Sequence, residues 1–124
     1  MKKLYFALLL GFFQFGFSQL SNFSLQVTAT NETCSGNGML SFSVSNTTVG
    51  ASIVYNVFLL PNTTTPIEIT TNSTLTGLSA GNYQVIAYQS LGAETNSQQQ
   101  NSTISNGIQN LSFTISHQKV KCGN

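Results

Sequence analysis

Apolar and polar residues alternate one by one over several short stretches of this chain. Serine, glutamine and threonine separate the apolar residues Phe23, Leu25, Val27 and Ala29, and residues 40–45 repeat the pattern with Leu, Phe and Val between serines. Because successive side chains of a strand point to opposite faces, this alternation predicts half-buried β-strands.

Further strands follow at intervals that turn residues punctuate. The run IVYNVFLL at residues 53–60 is apolar on nearly both faces, which is typical of a central strand. Pro61 and Pro66 bracket a predicted turn, because proline cannot donate to a sheet ladder. Two short edge strands are then predicted at residues 67–70 and 75–78.

The segment LTGLSAGNYQVIAYQ carries the clearest local signal. A turn over residues 79–82 leads Tyr83 into a strand, and a polar strand is predicted at residues 95–104. Asn106-Gly107 is a strong turn signal, and a last alternating strand is expected at residues 111–115. About seven short strands in one domain predict an all-β fold, an immunoglobulin-like (fibronectin III-like) antiparallel β-sandwich.

Tyr83 has two interpretations. An aromatic residue after a turn can stack on a ligand, or it can be a structural tyrosine corner, whose hydroxyl bonds back to the backbone of the preceding turn. The GLSAGNY context favours the corner. We therefore predict that Tyr83 is part of the scaffold.

Residues 1–18 have the features of a signal peptide. A basic start at Lys2 and Lys3 precedes an apolar stretch, and small residues at Gly16 and Ser18 predict cleavage after Ser18. The apolar stretch is shorter than the ~20 residues that a membrane-spanning helix needs. We expect a bacterial protein that is secreted or displayed on the cell surface and does not associate with the membrane after leader removal.

The chain is unusually poor in charge. Charged residues make up 6% of it, against roughly 25% in a typical soluble domain. Without the leader, two lysines oppose three glutamates, and there is no arginine. Nucleic acid binding is therefore excluded as a predicted function, because it requires clustered cationic side chains.

Candidate catalytic and metal-binding residues are sparse. The chain has one histidine, His117, no aspartate, and three glutamates that lie far apart, Glu32, Glu68 and Glu94. Neither a triad nor a carboxylate pair can be assembled from this set. His117 and Cys122 would supply two metal ligands at most. We predict no catalytic residue, no metal and no cofactor.

The two cysteines lie in similar segments. Aligned on them, NFSLQVTATNETCSGN and NLSFTISHQKVKCGN match from Asn22 with Asn110 to Cys34 with Cys122, an offset of 88 residues (122 − 34). An offset of one module predicts a tandem array. Residues 19–106 would then be one module, and residues 107–124 the truncated start of a second. Alternatively, residues 107–124 contain the last strand of this domain.

The same alternatives decide the cysteine chemistry. In an oxidising compartment Cys34 and Cys122 are a candidate disulfide, since first and last strands can run in parallel at one edge of a sandwich. If Cys122 belongs to a second module, the two lie too far apart to bond.

The segments TATNETCSGNGMLSFSV and LTGLSAGNYQVIAYQ, with STIS before a new strand, resemble the SprB-type repeat modules of Bacteroidota gliding-motility adhesins and related surface proteins exported by type IX secretion. The resemblance implies a noncatalytic adhesive or spacer module whose partners are neighbouring repeat modules. A surface rich in hydroxyl and amide groups also suits surface glycans or other cell-surface polymers. The alternative is a small, self-contained secreted binding domain closed by a Cys34–Cys122 disulfide.

Overall fold

A computed structural model describes residues 19–107 and 114–115. Among these residues there are seven strands and no helix. The strands are β1 (Ser24–Thr30), β2 (Gly38–Ser45), β3 (Ser52–Leu59), β4 (Glu68–Thr70), β5 (Thr74–Leu78), β6 (Gly81–Leu91) and β7 (Glu94–Ile104). The predicted signal peptide, residues 1–18, lies outside the described residues, as does most of the strand predicted at residues 111–115.

The strands form two antiparallel sheets that face one another. One sheet has the order β1-β2-β5 and the other the order β4-β3-β6-β7. The predicted all-β, immunoglobulin-like sandwich is confirmed. The predicted central strand, β3, indeed lies between two neighbours, and the two predicted short strands, β4 and β5, form sheet edges.

The core lies between the sheets and follows the period of two. Buried side chains from both sheets form one cluster, in which the rings of Phe42 and Tyr55 lie 4.8 Å apart between centroids. The buried members are Phe23, Val27, Leu40, Phe42, Tyr55, Val57, Leu78, Tyr83, Val85, Ala87 and Ile104. Interdigitation of two such faces is what holds a sandwich together. β3 carries apolar side chains on both faces. Phe58, which lies on the side away from the core, is also buried.

The polar strand β7 belongs to the sheet because its backbone pairs with β6 along its whole length. One of its glutamines, Gln100, also covers an edge of the other sheet. The Gln100 side-chain oxygen accepts a hydrogen bond of 2.9 Å from the backbone N–H of Val27 on β1. An edge strand left with free N–H groups is a site for unwanted pairing, so Gln100 protects β1.

After β1, the chain crosses to the end of β7 and pairs with it in parallel. Glu32 and Asn106 form this bridge. The Glu32 N–H donates to the Ser105 carbonyl (3.0 Å), and the Gly107 N–H donates to the Glu32 carbonyl (2.6 Å). A third bond, of 3.0 Å, runs from the Ser105 N–H to the Asn31 side-chain oxygen. The first and last described strands are thus tied to each other.

Of the described part of the chain, no helix has the length and apolar character needed to cross a membrane.

Candidate functional site

Glu32 is the one charged side chain buried among the described residues, with 4% of its surface exposed. One carboxylate oxygen accepts the Gly36 N–H, and the other accepts the Ala80 N–H at 2.8 Å. The side chain therefore joins the β1–β2 loop to the β5–β6 turn, while its backbone joins β7. We call this set of contacts the Glu32 junction. A carboxylate that accepts two backbone N–H groups forms strong, charge-assisted bonds.

The three glutamates lie in different environments, which the sequence did not reveal. Glu68 and Glu94 are exposed on other elements, so the carboxylates do not come together. Only Glu32 is engaged, and its position in a polar loop, TNETCSGN, gave no sign of burial. The one signal in the sequence was Gly36, four residues after Glu32, because a glutamate in a tight loop can accept a hydrogen bond from an N–H at that spacing. Glu32 is accordingly a structural residue in the folded chain.

Tyr83 lies beside this junction. Its ring is buried, and its hydroxyl donates a 2.7 Å hydrogen bond to the Ser79 carbonyl four residues upstream. This geometry is that of a tyrosine corner. Burial raises the pKa of Tyr83, and the negative charge of Glu32 raises it further. Because only 3% of Tyr83 is exposed, it offers little aromatic surface to a ligand.

Cys34 is exposed in the loop formed by residues 31–37. Asn37 orders this loop, because its side-chain oxygen accepts the N–H groups of Thr33 (2.9 Å) and Cys34 (3.0 Å). Cys122 and His117 lie outside the described residues. The Cys34–Cys122 disulfide remains a prediction.

A second buried polar contact lies at the other end of the sandwich. Gln89 is fully buried, and its side-chain oxygen accepts the Thr48 N–H at 2.6 Å. Its amide nitrogen donates to the Ser21 carbonyl (3.1 Å) and to the Asn96 side-chain oxygen (3.0 Å). Gln89 thereby anchors the segment that enters the first strand. No feature of the sequence indicated this role, because Gln89 continues an otherwise apolar alternation.

The four-stranded sheet turns one side away from the core, and we call this side the outer face. Residues of β6 that alternate with the buried ones lie on it, and each has a neighbour in register on β7. The pairs are Asn82 with Thr103, Gln84 with Asn101, Ile86 with Gln99, and Tyr88 with Ser97. Tyr88 is 37% exposed, and Ile69 of β4, 59% exposed, shares a row with Ile86 through β3.

Hydrogen bonds hold the polar members of this face in place. The Thr103 hydroxyl donates to the Asn82 side-chain oxygen at 2.8 Å, and the Gln84 amide donates to the Asn101 side-chain oxygen at 3.3 Å. The Asn82 and Asn101 amide nitrogens stay available as donors. Each of these side chains is thus oriented before any ligand arrives, which lowers the entropic cost of binding.

A groove of about 440 Å³ lies at the end of the outer face nearest Tyr83. It is lined by Leu60, Pro61, Asn82, Tyr83, Asn101, Ser102 and Thr103. One wall is apolar and the other carries amides and hydroxyls, and none of the lining residues is charged. This volume lies within the range that small-molecule sites occupy.

Hydrogen-bonding and apolar groups dominate the described surface. Within residues 19–107 and 114–115, no three side chains of the metal-binding types come together. The features that could engage a partner are hydrogen-bonding amides and hydroxyls beside exposed apolar side chains. Comparison of the chain with protein-family models, curated proteins and solved structures finds no match.

Proposed function

We propose that this chain is a noncatalytic module of a secreted or cell-surface repeat protein, acting as a spacer and adhesive unit. The observation that carries the proposal is the placement of the chain's two connections. The incoming segment is anchored through Ser21 to Gln89 at one end of the sandwich, and the outgoing segment passes Glu32 at the other. Modules connected in this way extend end to end, by roughly 3.3 Å for each strand residue.

The same placement determines how the module responds to a pulling force on its two ends. β1 and β7 run in the same direction, so a pull on the two chain ends slides one strand past the other. The bonds between Glu32 and its neighbours Ser105 and Gly107 cross between these strands. Bonds that lie across the direction of sliding resist together, whereas bonds at a peeling end break one after another. This arrangement suits a spacer that connects a cell to a surface.

Single-molecule force spectroscopy tests the spacer role. The chain from residue 19 onwards is held between handle domains and stretched from its ends. Asn31→Ala removes the hydrogen bond from the Ser105 N–H to the Asn31 side-chain oxygen, which crosses between the ends of β1 and β7. It is compared with Leu75→Ala, which removes a partly buried core side chain on β5, away from the β1–β7 contact. We expect Asn31→Ala to lower the unfolding force more than Leu75→Ala does, even where Leu75→Ala costs more equilibrium stability. A wild-type module that extends without a resolvable force peak would contradict the spacer role.

Export and display are part of the same proposal. The leader at residues 1–18 and the resemblance to SprB-type modules support a bacterial surface protein, with neighbouring repeat modules as partners and a link to gliding motility or attachment. Mass spectrometry of the surface fraction tests this proposal. A mature N-terminus at Gln19 is expected, and recovery of the intact leader from the cytoplasm would contradict it.

The second candidate function is a self-contained secreted binding domain. One observation favours it. The hydrogen bond from the Gly107 N–H to the Glu32 carbonyl places the outgoing chain beside Glu32, which precedes Cys34 by two residues. A bridge to Cys122 would then close the sandwich. Intact mass under nonreducing conditions distinguishes the two: loss of two hydrogens supports the closed domain, and two free thiols support the array.

A further inference from the structure

The outer face combines exposed apolar side chains with amides and hydroxyls. Tyr88 lies on β6, beside the amide and hydroxyl groups of β7, and Ile69 lies on β4, at the opposite edge of the sheet. Glu68 pairs with Val57, whose side chain is in the core, so the Glu68 carboxylate is directed away from this face. Glu94 lies at the β6–β7 turn, opposite Leu91. The described residues of the outer face are therefore uncharged.

We infer that the outer face, together with the groove at its end, binds an uncharged polysaccharide. This inference rests on the proposed function, because it names the partner of the adhesive role. A sugar ring has an apolar face of C–H groups and an edge of hydroxyls. Tyr88, which lies next to β7, can cover the apolar face of a ring, while the Asn101 and Asn82 amides bond to hydroxyls along the chain of sugars.

The regular spacing of side chains along the outer face fits a polymer better than a single small molecule. Successive rows along β6 and β7 are two residues apart, roughly 7 Å, which is comparable to the size of one sugar ring. A chain lying along the strands would thus meet a new amide or hydroxyl at each sugar. The groove, bounded by Leu60 and Pro61, would take the terminal rings.

Charge argues against other partners. An anionic polymer would need cationic side chains, and the described outer face has none. A protein partner would need a continuous apolar centre, whereas here Ile86 is half-buried and bordered by Gln99. Neutral sugars match a surface of amides and hydroxyls with a few apolar groups.

Affinity electrophoresis of the chain from residue 19 onwards tests the inference. Native gels contain one polymer each: hydroxyethyl cellulose, arabinoxylan, galactomannan, laminarin or dextran as neutral probes, alginate and heparin as charged ones, and casein as a protein. We expect retardation by at least one neutral polysaccharide and by neither charged polymer. Tyr88→Ala and Asn101→Ala should each weaken this retardation roughly tenfold.

Gln26→Ala is the matched control, because Gln26 is exposed on β1 in the opposite sheet. It should leave retardation unchanged, and far-UV circular dichroism should show that all three variants are folded. No retardation by any neutral polysaccharide, or retardation that survives both outer-face substitutions, overturns the inference. Retardation by casein alone overturns it in favour of a protein partner. The force measurement does not involve sugars, so the spacer role stands or falls separately.

Discussion

Replacing Glu32 by glutamine removes one acceptor from the Glu32 junction without changing the size of the side chain. The glutamine oxygen can still accept one of the two N–H groups, from Gly36 or Ala80. Its NH₂ group then faces the other N–H, so two donors oppose each other. Because the side chain is buried, water cannot easily supply the missing acceptor.

The cost follows from the two bonds. A hydrogen bond to a charged group contributes about 1.5–3 kcal/mol, and a neutral one about 1 kcal/mol. Two charged bonds therefore give way to one neutral bond, a loss of about 3 kcal/mol in the free energy of unfolding. In a domain of this size each kcal/mol shifts Tm by about 4–8 °C, so we expect a decrease of roughly 12–24 °C.

Urea unfolding followed by far-UV circular dichroism measures this loss, since the chain has no tryptophan. Glu94→Gln removes the same charge from an exposed position, and we expect it to change stability by less than about 0.5 kcal/mol. A second readout is the Tyr83 pKa, which burial and then the Glu32 charge raise. It should fall in Glu32→Gln. Equal stabilities of the two variants, or an unchanged Tyr83 titration, would refute the account of the junction.

Three further predictions concern other parts of the sandwich. Gly38→Ala should cost about 1–3 kcal/mol in urea unfolding, because its added Cβ would lie 2.6 Å from the Leu78 carbonyl oxygen. Gln89→Leu keeps the volume but leaves the partly buried Thr48 N–H without its acceptor, so a loss of about 2 kcal/mol and faster proteolysis near Ser21 are expected. Burial raises the pKa of Tyr55, as it does for Tyr83, so the folded state holds both protons more tightly. Urea midpoints should be constant below the ordinary tyrosine pKa of about 10 and fall as pH rises through the higher folded values.

A matched variant or a contradicting outcome accompanies each of these three predictions. Gln99→Leu adds the same side chain as Gln89→Leu at an exposed site and should leave stability nearly unchanged. Tyr55→Phe should reduce the alkaline loss of stability, and an unaltered pH profile in this variant would contradict the assignment to buried tyrosines. A Gly38→Ala variant as stable as the wild type would show that the close approach at β2 is relieved by a small backbone shift.

The all-β class and the strand positions could be predicted because each strand carries its own local signal. In β1 and β2 the alternation identifies both the strand and its buried face, since one side chain in two must leave water. In β3 the doubly apolar pattern identified a central strand for the same reason. These are properties of neighbouring residues, which a sequence displays directly.

Polar contacts between distant segments could not be predicted in this way. Gln100 protecting Val27 and Gln89 anchoring Ser21 join residues far apart in the chain, and nothing local distinguishes them from other glutamines. The same holds for the outer face, because its columns exist only once β6 and β7 pair in a particular register. Register depends on the whole sheet, so it is a tertiary property.

Glu32 illustrates the division most clearly. The sequence determined by itself that the chain folds as a charge-poor sandwich with few acidic residues, because alternation and composition are local and additive. Only the tertiary structure decided that one of those acids is buried between a loop, a turn and the end of β7. Under the 88-residue offset (122 − 34), Val120 takes the place of Glu32, although Cys122 still matches Cys34. The similarity between the two cysteine-containing segments therefore does not include the residue that forms the Glu32 junction. A buried charge stabilises the fold only where N–H groups from distant segments surround it.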